Sequence, residues 1–444
     1  MVDFKFTEEQ LALQKKAREF ALKEILPVTH YFDKMNMMPI FLIKKAHEMG
    51  LQNLSIGKKY GGPGYGLIEN ALVVEEIAAA DLGMSTSIFG NTLGEEPILL
   101  SDNEYVKEKY LPILVKEPKI ISFATSEPTM GSDVAGMRCL AKKDGNDYIL
   151  NGIKYWITNA SYADYCTVFA TTDPKSRHKG IVAFLVEMDQ EGVSTGEHIP
   201  KMGLRTSNTT SIKFENVRVP AENVLAGPGD GFKLAMKTFS LTRPIISAFA
   251  TGAARSALDY SIHYINKRRA FGQKLSDFQN TQMKLAEMYQ KVETMRLLTL
   301  KACWQADNKM DPTISASLAK FYSTEMAMEV VNQALQMFAG YGYTEFYPIE
   351  KILRDIRVLT IYEGTSEIQR VVVARHALSQ YKPIMPPIED LKRLKGDNIE
   401  EAARNGLKAK TAWRCRICGY VHYGEEPPDE CPYCRFPKSV FKKI

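Results

Sequence analysis

Leu359-Thr360-Ile361-Tyr362-Glu363-Gly364-Thr365-Ser366-Glu367-Ile368-Gln369-Arg370 sets one carboxylate between an apolar run ending in Tyr362 and a glycine followed by hydroxyls. An apolar helical run, Ile368, Val371 and Val372, comes straight after. Aromatic and aliphatic neighbours desolvate a carboxylate and disfavour its charged form, which moves its pKa toward the range useful to a general base. Two readings of Glu363 are open on these residues alone: a base, or an acid in the first turn of a helix.

Working outward, the segments 232–242, 245–266, 280–308 and 313–338 carry apolar residues at helical spacing. With the run after Gly364 they are long enough for a helix bundle over 231–380. Upstream the pattern changes. Runs at 166–172, 181–186 and 211–219 read as strands, and Asn151-Gly152 between Tyr148-Ile149-Leu150 and 153–158 carries the signal of a two-residue hairpin turn. That makes 122–230 a β domain. Before it, Thr7-Glu8-Glu9-Gln10 reads as a capping box opening a helix that Pro27 should stop, and further helical patterns fall at 39–49, 67–81 and 104–115. Residues 1–121 are therefore expected to be a helical domain.

The chain has 444 residues, 45% hydrophobic and 25% charged, which suits a globular protein of several domains. A formal charge of +5 argues weakly for an anionic ligand and hardly at all for nucleic acid. The amino terminus has acids at once and no secretory core, and no apolar run is long enough to cross a bilayer, so a cytoplasmic protein is expected.

Beyond 380 the composition shifts again. A Pro-rich stretch and a charged run make 381–410 a linker. Four of the seven cysteines, Cys415, Cys418, Cys431 and Cys434, then form two C-x-x-C pairs within 411–444. That spacing is the signature of a tetrathiolate metal site, and a reducing compartment disfavours disulfides. Cys139, Cys166 and Cys303 are scattered and read as small core residues.

Three stretches of the chain, in order, resemble segments of acyl-CoA dehydrogenases: 123–133 (Phe-Ala-Thr-Ser-Glu-Pro-Thr-Met-Gly-Ser-Asp), 154–159 (Lys-Tyr-Trp-Ile-Thr-Asn) and the Glu363 stretch. The resemblance spans roughly 5–380. It implies an N-terminal helical domain, a middle β domain and a C-terminal helix bundle, with FAD as cofactor. By that resemblance Phe123, Thr125, Ser126, Trp156, Ile157 and Thr158 lie along the flavin ring. Ser126 replaces a frequent threonine and keeps the hydroxyl. Ser132 is implied to contact CoA, and Thr242 and Arg243 to line its tunnel, beside Tyr362 and Gly364. Arg268, Phe271, Gln279, Gln336, Gly340, Thr365 and Glu367 are the remaining implied FAD contacts, some across a subunit boundary, which implies a homotetramer. Ala270 stands where many relatives carry threonine.

The resemblance makes Glu363 the base that takes a Cα proton, with hydride leaving Cβ for the flavin. A base near Leu241-Thr242-Arg243, found in some relatives, is not available, because those positions carry no acid. Short- and medium-chain acyl-CoA or enoyl-CoA substrates fit that arrangement. The 86–97 segment aligns with the floor of the acyl pocket. There Phe89 either shortens the pocket or is core, and Glu95 and Glu96 are expected to be solvated, the other reading being that one of them signals a polar acyl group.

The tail, with Phe436-Pro437-Lys438 and Phe441 after its cysteines, resembles the compact rubredoxin domain of rubrerythrins. Iron is favoured over zinc on that pattern, and a one-electron carrier beside a flavin has an evident use. Electron-transfer flavoprotein or another redox carrier is the implied partner. The whole is thus a multi-domain α+β chain. Two alternatives stay open: a flavin oxidase that scavenges oxygen, and a dehydrogenase whose tail is a zinc-bound docking module.

Overall fold

Thr7 caps the first helix, α1 (Glu8–Phe20), through a complete capping box with Gln10. The computed structural model describes residues 5–385 and 411–444. Pro27 does not end the helical path. A π-helical turn, Ala21–Ile25, hands the chain to α2 (Leu26–Lys34) without a break, and this wider turn just ahead of the proline takes up the missing N–H and the ring. The N-terminal part continues with α3 (Ile40–Glu48), α4 (Leu67–Ala80), α5 (Leu82–Ile88), α6 (Gly90–Leu100) and α7 (Glu104–Lys116).

An eight-stranded sheet follows. Its strands are β1 (Ile121–Ala124), β2 (Leu140–Asp144), β3 (Asp147–Thr158), β4 (Tyr165–Thr171), β5 (Ile181–Glu187), β6 (Val193–Thr195), β7 (Thr209–Val219) and β8 (Val224–Ala226). The order is β6-β7-β3-β2-β4-β5-β8, with β1 parallel to β4. The hairpin expected at Asn151-Gly152 is not there: β3 runs straight through both residues. The turn lies earlier, where Gly145 (φ +63°) joins β2 to β3. Gly152 is needed for a different reason, since a Cβ there would sit 2.7 Å from the Cα of Cys139 on the neighbouring segment.

The bundle is built around α8 (Asp230–Lys267), one continuous helix where the sequence predicts two. Pro244 removes the N–H that would bond the Ser240 carbonyl, yet the helix continues, because it is buried along most of its length against α4, α9 (Gln279–Asp307) and α10 (Thr313–Phe338). Between α8 and α9, β9 (Arg269–Ala270) and β10 (Gln273–Lys274) form a short hairpin whose turn residues, Phe271 and Gly272, both have positive φ. Then come α11 (Ile349–Ile356) and α12 (Ser366–Ser379).

Buried charges join the three parts. Lys351 on α11 bonds Asp355 at 2.5 Å and pairs with Asp81 at 2.9 Å. Asp81 also accepts from Thr206 of the β domain at 2.6 Å, and Asp355 from the Leu204 N–H at 2.6 Å. Each carboxylate thus has hydrogen bonds as well as a cation, the condition under which a buried ion pair is tolerated.

Contacts divide the chain into two compact units, Met1–Ala377 and Leu378–Ile444. Most of the expected linker, 386–410, lies outside the described residues. In the second unit β11 (Ala412–Cys415) is the centre of a three-stranded sheet between β12 (Val421–Tyr423) and β13 (Phe441–Lys443). Among the described residues no helix is long and apolar enough to cross a membrane.

Candidate active site and metal centre

Glu363 occupies a tight turn just ahead of α12, with φ +55°, and Gly364 follows at φ +84°. Left-handed backbone is costly for a residue with a Cβ, so the turn needs outside support. It has that support on both carbonyls. The Glu363 carbonyl accepts from Arg243 Nε at 3.4 Å and Gln369 Nε2 at 3.3 Å. The Gly364 carbonyl accepts from Lys320 Nζ at 2.8 Å and Gln369 Nε2 at 3.1 Å. A Cβ on Gly364 would be strained at this φ and would displace the Gln369 amide that bonds both carbonyls.

The carboxylate itself points elsewhere. Its Oε2 accepts from the Thr242 hydroxyl at 3.1 Å. Burial raises the Glu363 carboxyl above the ordinary carboxylate range, while Arg243, the Thr242 hydroxyl and Lys320 pull it back without cancelling the rise. Burial likewise lowers Arg243, and brings Lys320 down to about 8 despite the nearby Glu363 charge. Tyr362, packed against the main core, has its phenol raised by burial. Thr365 caps α12 through the Ile368 N–H at 3.2 Å, and Glu367 is exposed in the first turn.

A second set of residues meets this turn through α8. Arg243 lies over the Phe239 ring at 5.8 Å, and Phe239 packs edge-on against Phe123 of β1 at 5.6 Å. The ends of β1 and β3 are tied together: Ser126 carbonyl to Tyr155 N–H at 2.9 Å, and Thr125 carbonyl to the buried Lys154 ammonium at 2.9 Å. Lys154 also pairs with Glu127, whose oxygens accept the Arg138 and Cys139 N–H groups. That clamp sets Thr125, Ser126 and Thr158 near Trp156, which is 58% exposed while Ile157 beside it is buried. Asn159 at the end of β3 bonds the Ser87 carbonyl at 2.8 Å and so holds α5 against this edge. Ser132 is exposed in the loop after β1, next to Asp133, which pairs with Arg177.

The remaining expected contacts form a separate, outward-facing set. Arg268 lies over the Tyr341 ring at 5.8 Å, close to Gly340, and Gln336 is exposed one turn earlier on α10. Phe271 is 96% exposed at the hairpin tip and touches Phe278, next to Gln279 at the start of α9. On the pocket-floor segment Phe89 is buried against Phe249, at 6.5 Å between ring centres. Glu95 and Glu96 are buried, not solvated as the sequence suggests: α6 is wrapped by β1, β4 and α8, so a polar residue there has no route to water.

In the tail the four cysteine Sγ atoms lie within 4.8 Å of one another. The pairs Cys415–Cys434 and Cys418–Cys431 are each 3.6 Å apart. A tetrahedral ion with bonds of ~2.3 Å to sulfur needs an edge of ~3.8 Å, so the donors are already close to the required spacing. The two knuckles repeat one design. Cys415 accepts the N–H groups of Cys418 and Ile417, and Cys431 those of Cys434 and Tyr433. Cys418 accepts from Tyr420, and Cys434 from Phe436. The residue after each second cysteine, Gly419 (φ +79°) and Arg435 (φ +61°), is left-handed, which turns these N–H groups toward sulfur.

Sequence reasoning missed Lys154, Glu127, Lys320 and Gln369. Each supports the candidate site through a backbone carbonyl or N–H, and such a partner leaves no spacing signal in the sequence.

Comparison with known proteins places this geometry in a family. Residues 7–118, 122–217 and 229–378 match the N-terminal, middle and C-terminal domains of acyl-CoA dehydrogenases, and 413–442 match the rubredoxin-like domain of rubrerythrin. The chain is 38% identical over 380 residues to "Probable medium-chain specific acyl-CoA dehydrogenase 2, mitochondrial" of Caenorhabditis briggsae, covering 85% of this chain and 92% of that protein. It is 39% identical over 376 residues to a Mycobacterium leprae protein named "Probable acyl-CoA dehydrogenase fadE25", covering 84% and 97%. The structure of butyryl-CoA dehydrogenase from Megasphaera elsdenii superposes with a TM-score of 0.83 at 36% identity, over 85% of this chain and all of the other. The chain therefore belongs to the acyl-CoA dehydrogenases, flavin-dependent oxidoreductases acting on CH–CH bonds, and carries a rubredoxin-like four-cysteine domain after that core.

Proposed function

We propose that the protein interconverts a short-chain acyl-CoA and its trans-2-enoyl-CoA, with Glu363 as the base. The observation that carries this reading is the Glu363 turn: a carboxyl whose basicity is raised by burial, bonded to a hydroxyl, with its backbone carbonyl held by the protein. A thioester Cα–H is weakly acidic, so a desolvated carboxylate is the group the step needs. Glu363 takes the Cα proton, and the electron pair left behind forms the new double bond as hydride departs from Cβ. Bound FAD supplies the hydride acceptor. Thr125, Ser126, Trp156 and Thr158 suit it, offering one exposed aromatic face and hydroxyls at two strand ends tied side by side. Thr242 holds the carboxylate, while Arg243, Ser132, Tyr362 and Gly364 line the substrate side. In this reading the exposed set of Arg268, Phe271, Gln279, Gln336 and Gly340 completes the FAD site of a neighbouring subunit, and Thr365 and Glu367 belong to the same shared site. An exposed phenylalanine such as Phe271 then has an apolar environment in a homotetramer.

The four tail thiolates hold iron, which supplies one-electron exchange. Electron-transfer flavoprotein or a comparable carrier is the outside partner, and the cytoplasm the compartment. The test is an anaerobic titration of the full, iron-loaded protein with butyryl-CoA and crotonyl-CoA, following flavin and ferric-thiolate absorbance separately. Bleaching of the flavin by butyryl-CoA, with the iron band following, is expected. A flavin that ignores both thioesters overturns the short-chain assignment. A flavin that responds beside an inert tail overturns the electron-transfer role and leaves a docking module.

A further inference from the structure

We propose that Lys320 is a positioning residue for Glu363, holding the strained turn through the Gly364 carbonyl and placing a cation near the carboxylate without bonding it. This inference rests on the reading of Glu363 as the base.

Lys320 lies on α10 with no exposed surface, and its ammonium hydrogen-bonds the Gly364 carbonyl at 2.8 Å. A buried ammonium is costly unless hydrogen bonds and nearby opposite charge compensate it. What it touches is the peptide that follows two left-handed residues, a conformation that drifts toward ordinary φ unless its carbonyls are fixed. The φ and ψ of Glu363 set the direction of its Cα–Cβ bond, so fixing the turn aims the carboxylate.

The charge matters separately. A cation bonded directly to the carboxylate would occupy the lone pair that must accept a proton and would depress its basicity. Here both neighbouring cations spend their hydrogen bonds on backbone: Arg243 on the Glu363 carbonyl and Lys320 on the Gly364 carbonyl. The carboxylate keeps the Thr242 hydroxyl and feels the two charges through space. The ionisable groups facing this pair are Arg243 from α8, Glu325 from α10, Glu367 from α12, and Tyr362 of the turn itself. Burial lowers Lys320 and raises Glu363, and each charge partly offsets the other's shift.

The test compares Lys320→Met, which removes charge and donor, with Lys320→Gln, which keeps a donor and removes charge, in the full FAD-loaded chain. Isotope-edited infrared titration reads the Glu363 carboxyl directly, and the acid limb of kcat reads it in turnover. In both variants the Glu363 midpoint should rise, because a cation that favours the carboxylate is gone. Turnover in Lys320→Met should fall on the order of 10–100-fold with KM little changed, since misaiming the base affects chemistry more than binding. Lys320→Arg should return the midpoint. A midpoint that coincides with that of the parent protein in whichever of the two neutral variants folds overturns the proposal, even if the enzyme is slower. Glu363→Gln, run alongside, separates the two failures. If that variant keeps its turnover, the base is misassigned. If it is inactive while the Lys320 variants titrate like the parent, this inference alone falls.

Discussion

Glu363 combines two costly properties, a left-handed backbone and a desolvated carboxyl. Both follow from its neighbours: Arg243, Lys320 and Gln369 hold the carbonyls, and burial outweighs the nearby cations in setting basicity. As the proposed base, a carboxyl raised in this way must lose its proton before it can accept another. The rate should therefore fall as pH drops through the raised pKa, at a pH above that where an exposed glutamate titrates. Glu363→Gln should retain FAD and lose turnover on the order of 10²–10⁴-fold. Stopped-flow flavin reduction across pH, on both proteins, checks the pair: an acid limb surviving in Glu363→Gln would assign it to another group.

At the scale of elements, α6 is the unexpected one. It carries Glu95 and Glu96 into the interior, and both oxygens of Glu95 lack a hydrogen-bond partner in the described structure. Burial pushes Glu95 well up, with the Glu96 charge adding to it, and pushes Glu96 from 4.5 to about 7. Between those two pH values the folded chain keeps a proton on Glu96 that the unfolded chain has released. Stability is then fully present below 4.5 and is lost as pH rises toward 7. Glu96→Gln should flatten the dependence of Tm on pH in this window and be more stable than the parent at pH 8. Thermal unfolding at several pH values decides it, and an unchanged slope would remove Glu96 as the cause. The long helix α8 shows the same dominance of packing over local preference. Gly252 lets it approach α4 so closely that a Cβ would sit 2.3 Å from the Glu75 carbonyl.

For the whole molecule, the division into two units separates two sources of stability. The first unit has extensive apolar cores, whereas the tail has a small cluster of Cys415, Cys431 and Phe441 with a few partly buried neighbours. A domain with so little apolar burial depends on its metal to fold. Cys431→Ser should abolish metal binding and unfold the tail while the first unit retains FAD and thioester-dependent flavin reduction. Metal analysis with circular dichroism and flavin absorbance on the same sample measures both halves. A tail that keeps its structure without metal would contradict the energetic argument.

Much of this protein was legible without coordinates because the relevant signals are local. The two C-x-x-C pairs, the Thr7 capping box and the helical periodicity of α4, α9 and α10 depend on residues a few positions apart, and they fall in the structure where the sequence puts them. Glu363 stood out for the same reason, between an apolar run and a glycine. What the sequence could not decide were matters of competition between distant partners. Pro244 fails to break α8 because burial on several sides outweighs one lost hydrogen bond, and Gly152 lies inside a strand because β3 pairs with β7 through that point, where Cys139 leaves no room for a side chain. Lys154, Lys320 and Gln369 become part of the site only when the fold brings a carbonyl within reach of each, 29 residues away for Lys154 and 44 for Lys320, and as few as five for Gln369. A hydrogen bond to backbone accepts almost any residue as its acceptor, so tertiary structure alone reveals it.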